Sequence, residues 1–142
     1  MSWNSYELDQ IAQKLVLNAR GRDPKSLNQG HKMRMSIAYG LERFWGEHLR
    51  LSGKDKTQDK ADYWKETWDE LVKVMARADV KLPNDKVNIA DVKQVQAMSE
   101  KLWHLTTEEQ RISIAVLTQL CDCIVWWTQR YKVGSLDNDS DS

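Results

Sequence analysis

Five cations crowd one short stretch of this chain: in RGRDPKSLNQGHKMR, residues 20–34, Arg20, Arg22, Lys25, Lys32 and Arg34 stand against Asp23 alone. Cations at that density are suited to neutralising phosphates, so they are the candidate nucleic-acid-binding residues. Gly30, near a predicted helix start, adds backbone N–H donors and the positive end of a helix dipole. Arg43, Arg50, Lys54 and Lys56 extend the basic character, interleaved with Glu42, Glu47 and Asp55. The competing reading is an ordinary solvated loop and helix face, because no recognised RNA- or DNA-binding motif accompanies these residues.

Seven tryptophans, at 3, 45, 64, 68, 103, 126 and 127, are high usage for 142 residues. Aromatic faces can stack single-stranded bases, but Trp45, Trp64, Trp68 and Trp103 fall at apolar helical spacings and are expected in the core. Trp126 and Trp127 differ. Neighbours on a helix point about 100° apart, so both rings are covered only if that helix is enclosed or docks on something. With Tyr131 one turn further on, they are the candidate protein-interface residues, one ring being expected in a contact with a partner or a second copy.

No constellation for catalysis is visible. There is no GxSxG, HExxH, GxGxxG or phosphate-cradling glycine loop, so no catalytic residue is assigned and a non-enzymatic protein is expected. The nearest approach to a metal cluster is Glu100, His104 and Glu108 at spacings of four, and a predicted helix break at Thr106 spoils its alignment; no metal and no cofactor are expected. His48 reads as a hydrogen-bonded residue at the edge of the core. Cys121 and Cys123, the only cysteines, point about 200° apart on a helix, too divergent for a disulfide or a shared metal. Reduced thiols are expected, and with them a reducing compartment.

The rest of the composition bounds the class. Twenty-one Lys and Arg balance 21 Asp and Glu, 41% of residues are hydrophobic and 30% charged, which fits one globular domain and argues against a strongly basic nucleic-acid binder or a polybasic membrane protein. The opening MSWNSYELD has no charged segment followed by an apolar one, so no secretory signal is expected, and the location expected is cytoplasmic. The apolar run 112–127, interrupted by Ser113, Thr118, Gln119 and Asp122, is shorter than the roughly 20 residues of a spanning helix, so no transmembrane segment is expected.

These residues are carried by helices. Proline occurs only at 24 and 83 and apolar residues recur at three and four, which predicts an all-α chain: a single compact bundle of about five helices over 1–133, with a buried C-terminal helix. The first helix is expected over 4–20, opened by an Asn4/Glu7 capping box and a Trp3/Leu8 staple. The second is expected from 27 or 30 to 51, with Met33, Ile37, Leu41, Phe44, Trp45 and His48 on its inner stripe and Gly40 and Gly46 as interior costs that a bend or close approach would justify. Residues 52–60 read as an exposed mobile loop. The third helix is expected over 60–78, with Ala61, Trp64, Trp68, Leu71, Val72 and Met75 inward. The fourth is expected to begin at Asn88, which caps it, and to turn Val92, Val95, Ser99, Leu102 and Trp103 inward.

A capping box at Thr106 and Glu109, or Thr107 and Gln110, opens the last helix, over 107–132. From 112 to 127, 12 of 16 residues are apolar and spread round the whole circumference, which predicts a helix enclosed on all sides or one that shows a second face to a partner chain. The tail 134–142 carries three acids, no base and one leucine, and is expected to be a disordered acidic segment.

An all-helical chain of this length, with a basic stretch at 20–34 and no catalytic constellation, resembles the small helical subunits of CRISPR effector ribonucleoprotein complexes. The resemblance implies a non-catalytic protein lining a nucleic-acid path inside a larger assembly. The functional expectation is therefore a non-enzymatic helical interaction or assembly subunit of an intracellular complex, with other protein subunits or its own copies as partners. The alternative is a small subunit that binds the backbone of single-stranded RNA or DNA.

Overall fold

The protein is described by a computed structural model over residues 5–132, and every regular element in that span is helical. The expected Trp3/Asn4 cap and the acidic tail 134–142 lie outside the described residues. Helix α1 (Ser5–Arg22) buries Leu8, Ala12, Leu15, Val16 and Ala19 along one face, at the three- and four-residue spacing the sequence shows. It runs two residues past its expected end. A 3₁₀ turn, Pro24–Asn28, follows, with the Asp23 carboxylate accepting from the Lys25 amide at 3.1 Å and proline at the position where a missing N–H costs nothing.

The expected second helix is two helices. Helix α2 (Gln29–Ser36) runs into a 3₁₀ turn at Ile37–Tyr39, and α3 (Leu41–Leu51) starts afresh after Gly40. Gly40 has φ 97° and ψ 174°, a backbone conformation open to glycine and almost closed to other residues. The glycine read as an interior cost is thus the point where the chain turns. The inner stripe survives the break: Met33, Ile37, Leu41, Phe44 and Trp45 are all buried, and His48 sits half-buried at its edge.

Helix α4 (Gln58–Arg77) is the aromatic centre of the core, burying Tyr63, Trp64 and Trp68 with Ala61, Leu71 and Met75. Phe44 of α3 meets Trp64 with ring centroids 4.9 Å apart. Residues 78–91 are irregular but anchored, because Val80 and Leu82 are buried and the Trp68 indole N–H donates to the Pro83 carbonyl at 3.3 Å.

Helix α5 (Val92–Trp103) corrects two expectations. Its cap is Asp91, whose carboxylate accepts from the amides of Lys93 and Gln94; Asn88 closes a turn one step earlier, its side chain accepting from Ala90 at 3.0 Å. Its buried face is Met98, Ser99 and Leu102, while Val92 and Trp103 are exposed. Trp103 lies about 100° round the helix from Leu102, and only the side of α5 that leans on α3 is covered. The Ser99 hydroxyl fixes that side by donating to Glu42 at 2.9 Å.

Helix α6 (Thr107–Tyr131) opens with the Thr106/Glu109 capping box, both reciprocal bonds being 3.0 Å. It packs chiefly on α1 and α2, with a smaller contact to α4. The expectation that it is enclosed on all sides fails. Ser113, Val116, Leu117, Leu120, Cys121, Ile124 and Thr128 are buried, whereas Ala115 and Trp126 are exposed and Ile112, Ile114 and Val125 only half-covered. At 25 residues, α6 is, among the described residues, a helix long and apolar enough to cross a membrane; the shorter run counted in the sequence understates it.

Candidate functional site

The C-terminal turns of α6 assemble an aromatic cluster against α1. Trp127 faces inward, and its indole N–H donates to Asp9 Oδ1 at 2.8 Å. Tyr131, one turn later, stacks on Trp127 with centroids 5.6 Å apart and planes at 13°, and its hydroxyl accepts from Gln13 Nε2 at 2.9 Å. Trp126, the adjacent residue, turns outward and is 51% exposed. It touches Trp127 edge to face at 4.9 Å, and the Arg130 guanidinium lies 4.6 Å from its centroid and 5.4 Å from that of Trp127.

Trp126 and Trp127 also line a depression of about 480 Å³ with Asp9, Asp122 and Cys123. Burial, and then the carboxylates of Asp9 and Asp122, push the Cys123 thiol up, and burial pushes the Cys121 thiol up further. Both cysteines therefore stay protonated at neutral pH, and neither is an activated nucleophile. The cluster offers a ring face and edge, a cation and carboxylates, groups suited to contact with another surface.

Two cations of the basic stretch are paired across the fold. Arg22 turns to α4, where it donates to Glu66 at 2.9 Å, and Arg34 turns to α6, where it donates to Asp122 at 2.7 Å. Arg20 is half-buried at the end of α1, and Lys25 and Lys32 are exposed on different elements. Gly30 is buried where α2 crosses α6, so closely that a Cβ there would meet Ile124 Cγ2 at 3.1 Å and Thr128 Oγ1 at 3.2 Å. Its place is at a helix contact, away from solvent.

Glu100, His104 and Glu108 straddle the break between α5 and α6, and His104 Nδ1 is hydrogen-bonded to the Glu100 carbonyl at 2.6 Å. Among the described residues no group of three or more His, Cys, Asp or Glu is placed to hold a metal ion. His48 bonds through Nδ1 to the Trp45 carbonyl at 2.6 Å, and burial holds its pKa below the ordinary histidine range.

A second concavity, about 660 Å³, lies between α2 and α3, and Lys32, Met35, Tyr39, Arg43, Glu47 and Arg50 are among the residues that line it. The sequence reading missed Asp9, Gln13 and Arg130 at the first surface and Met35 and Tyr39 at the second. Arg130 was findable, being three and four residues from the two tryptophans on one helix; Asp9 and Gln13, 118 residues away from their partners, carried no local signal. The chain matches no family model, no curated protein and no solved structure.

Proposed function

We propose that this chain is a non-enzymatic helical interaction subunit that docks a protein partner, or a second copy of itself, through the aromatic end of α6. The observation that carries the reading is the half-exposed Trp126 indole, set against the fixed Trp127–Tyr131 pair. Trp127 and Tyr131 are anchored to α1 by their polar atoms, so the platform behind Trp126 is rigid, and a large aromatic on a rigid backing loses little entropy on binding. Residence in a cytoplasmic assembly, of the kind that the small helical subunits of CRISPR effector complexes build, is part of the same proposal.

The nucleic-acid alternative draws its support from the exposed Lys25 and Lys32. Arg22 and Arg34 support it less, since a phosphate would have to compete with Glu66 and Asp122 for them.

Sedimentation and thermal melts of Trp126→Ala and Trp127→Ala test the proposal. Trp126→Ala should abolish association, with self or with a protein co-purified from the native source, and keep its helix content. Trp127→Ala should lower the melting temperature. A wild-type monomer that retains no partner, together with two variants that only destabilise, refutes the reading.

A further inference from the structure

We propose that the partner at the outward face of α6 is a second copy of this chain, its α6 running antiparallel across the first, with Trp126 of each copy seated between Ile112, Ala115, Val116 and Gln119 of the other. This rests on the reading of Trp126 as a contact residue and adds the surface that receives it. The face carries both a projection and a hollow. Trp126 is the projection, and towards the N-terminus a hollow of about 150 Å³ is lined by Arg111, Ile112, Ala115, Val116 and Gln119. Ile112, Ala115, Val116 and Gln119 have the spacing i, i+3, i+4, i+7, which is the four-residue hole that receives a knob from a facing helix. Ala115, at its middle, is exposed and offers a single methyl.

Helical geometry sets knob and hole on one line. Successive residues turn by about 100° and rise by about 1.5 Å, so Ala115 and Trp126, eleven positions apart, lie within about 20° of each other round the helix and about 16 Å apart along it. A knob and a hole on the same line of one helix satisfy a two-fold contact. When an antiparallel copy places its Trp126 in this hollow, symmetry places this copy's Trp126 in the other hollow, and the contact closes on itself. Charge selects the direction. Glu108 and Glu109 stand in the first turn of α6 and Arg130 in the last; Arg111 is held by Glu108, which leaves the first turn acidic by the charge of Glu109. Antiparallel helices bring Arg130 of each copy to the acidic first turn of the other, whereas parallel ones would set Trp126 against Trp126 and Glu108 against Glu108. Between the two contacts, Asp122 accepts from Arg34 at 2.7 Å, so each copy brings an ion pair to the axis rather than a bare carboxylate.

Sedimentation equilibrium of the full-length chain, read as weight-average mass against concentration, provides the test. The wild type should climb from 16.6 kDa towards twice that mass. Trp126→Ala and Ala115→Arg should each raise the dissociation constant of the dimer about tenfold, the first by removing the knob and the second by filling the hole. Ala115 is exposed and arginine is a good helix former, so at a dilution where the wild type is monomeric the Ala115→Arg variant should melt with it. Glu108→Arg and Arg130→Glu should each weaken self-association about threefold, since an exposed pair supplies orientation more than affinity, and the two changes in one chain should restore it.

A chain that stays monomeric at every concentration overturns the proposal, and so does a dimer that Ala115→Arg leaves intact. If Trp126→Ala dissociates that dimer, the contact at Trp126 stands and only its seat is wrong; if Trp126→Ala also leaves it intact, the reading of Trp126 falls as well. A monomeric wild type that holds a co-purified protein through Trp126 keeps the contact and overturns the second copy. A double charge exchange that fails to restore the dimer overturns the antiparallel pairing.

Discussion

The same substitution, glycine to alanine, should have opposite signs at two helical positions, and the distances decide which. At Gly30 the new methyl would lie 3.1 Å from Ile124 Cγ2 and 3.2 Å from Thr128 Oγ1. Carbon–carbon contacts are comfortable at about 3.5–4.0 Å, so the first is short by several tenths of an ångström. Neither neighbour yields easily. Ile124 is fully buried with Cγ2 on its branched, stiff Cβ, and the Thr128 hydroxyl is held by the Ile124 carbonyl at 2.7 Å. The methyl must therefore lift α2 off α6, at an overpacking cost of about 1–3 kcal/mol. The helix-propensity gain that opposes this is at most about 1 kcal/mol, and Gly30 sits in the first turn of α2, where less of that gain is realised.

At Gly46, inside α3, the nearest atom to a new methyl is Glu42 Oε2 at 3.6 Å, an ordinary contact with the far end of a flexible side chain. Propensity wins there, by roughly 0.5–1 kcal/mol. Gly30→Ala should thus lose about 1–2 kcal/mol and Gly46→Ala gain a little less, which in a chain of this size separates their melting temperatures by roughly 5–10 °C. Urea titrations of the two variants beside the wild type measure the difference directly. A Gly30→Ala variant as stable as Gly46→Ala would refute the close crossing of α2 over α6.

Leu120, fully buried in α6, should cost about 2–5 kcal/mol on replacement by alanine, and a loss below about 1 kcal/mol in the same titrations would remove α6 from the core. Asp91→Ala should destabilise by about 1 kcal/mol because it strips the cap from two α5 amides, and Asn88→Ala by less; the reverse order would restore Asn88 as the cap. His48 is held neutral in the fold, chiefly by burial and further by Lys65, against the opposing pull of the Trp45 carbonyl and Asp69. Its folded pKa is lowered, so the unfolded chain takes up the proton first, and the stabilising contribution, full above an unfolded pKa of about 6.5, is lost as pH falls through it. His48→Gln should therefore flatten the fall in stability between about pH 7 and pH 5; an unchanged slope in chemical denaturation across that range would exclude His48 as its source.

Local signals in the sequence carried local structure. The Thr106/Glu109 capping box joins residues three apart, so type and spacing alone specify it. Gly40 shows where that kind of reading stops, because a glycine inside an apolar helical period fits both a tolerated interior residue and a positive-φ break, and only the packing of α2 and α3 separates the two. Trp103 was misplaced by one step of the helix: it neighbours Leu102 in sequence, but the covered arc of α5 is narrow and centred on Met98 and Leu102. The pairings made by the basic stretch were not legible for a different reason. Its charges are close in sequence, but their partners are distant, Glu66 lying 44 residues from Arg22 and Asp122 lying 88 from Arg34, and pairings of that span are set by helix packing rather than by any local pattern. The readable part of the candidate site was the Trp126/Trp127 pair, since the angle between adjacent helical residues requires the two rings to face different surroundings.

The packing of α6 bears on whether it could leave the bundle to cross a membrane. The helix is long and apolar enough to cross a bilayer, but doing so would strip α1 of its main neighbour and leave Leu8, Ile11, Leu15 and Val16 without much of their cover. At about 1.5–3 kcal/mol for each large aliphatic side chain returned to water, four such residues approach the whole stability of a domain, on the order of 5–15 kcal/mol. Extraction of α6 would therefore unfold the bundle. The apolar surface still to be accounted for is the outward side of α6, and there the largest exposed group is an indole with a guanidinium over its face and carboxylates beside it. A protein surface can pair with the ring and the charges together, and that is the ground on which the proposal of a protein partner for the exposed end of α6 stands.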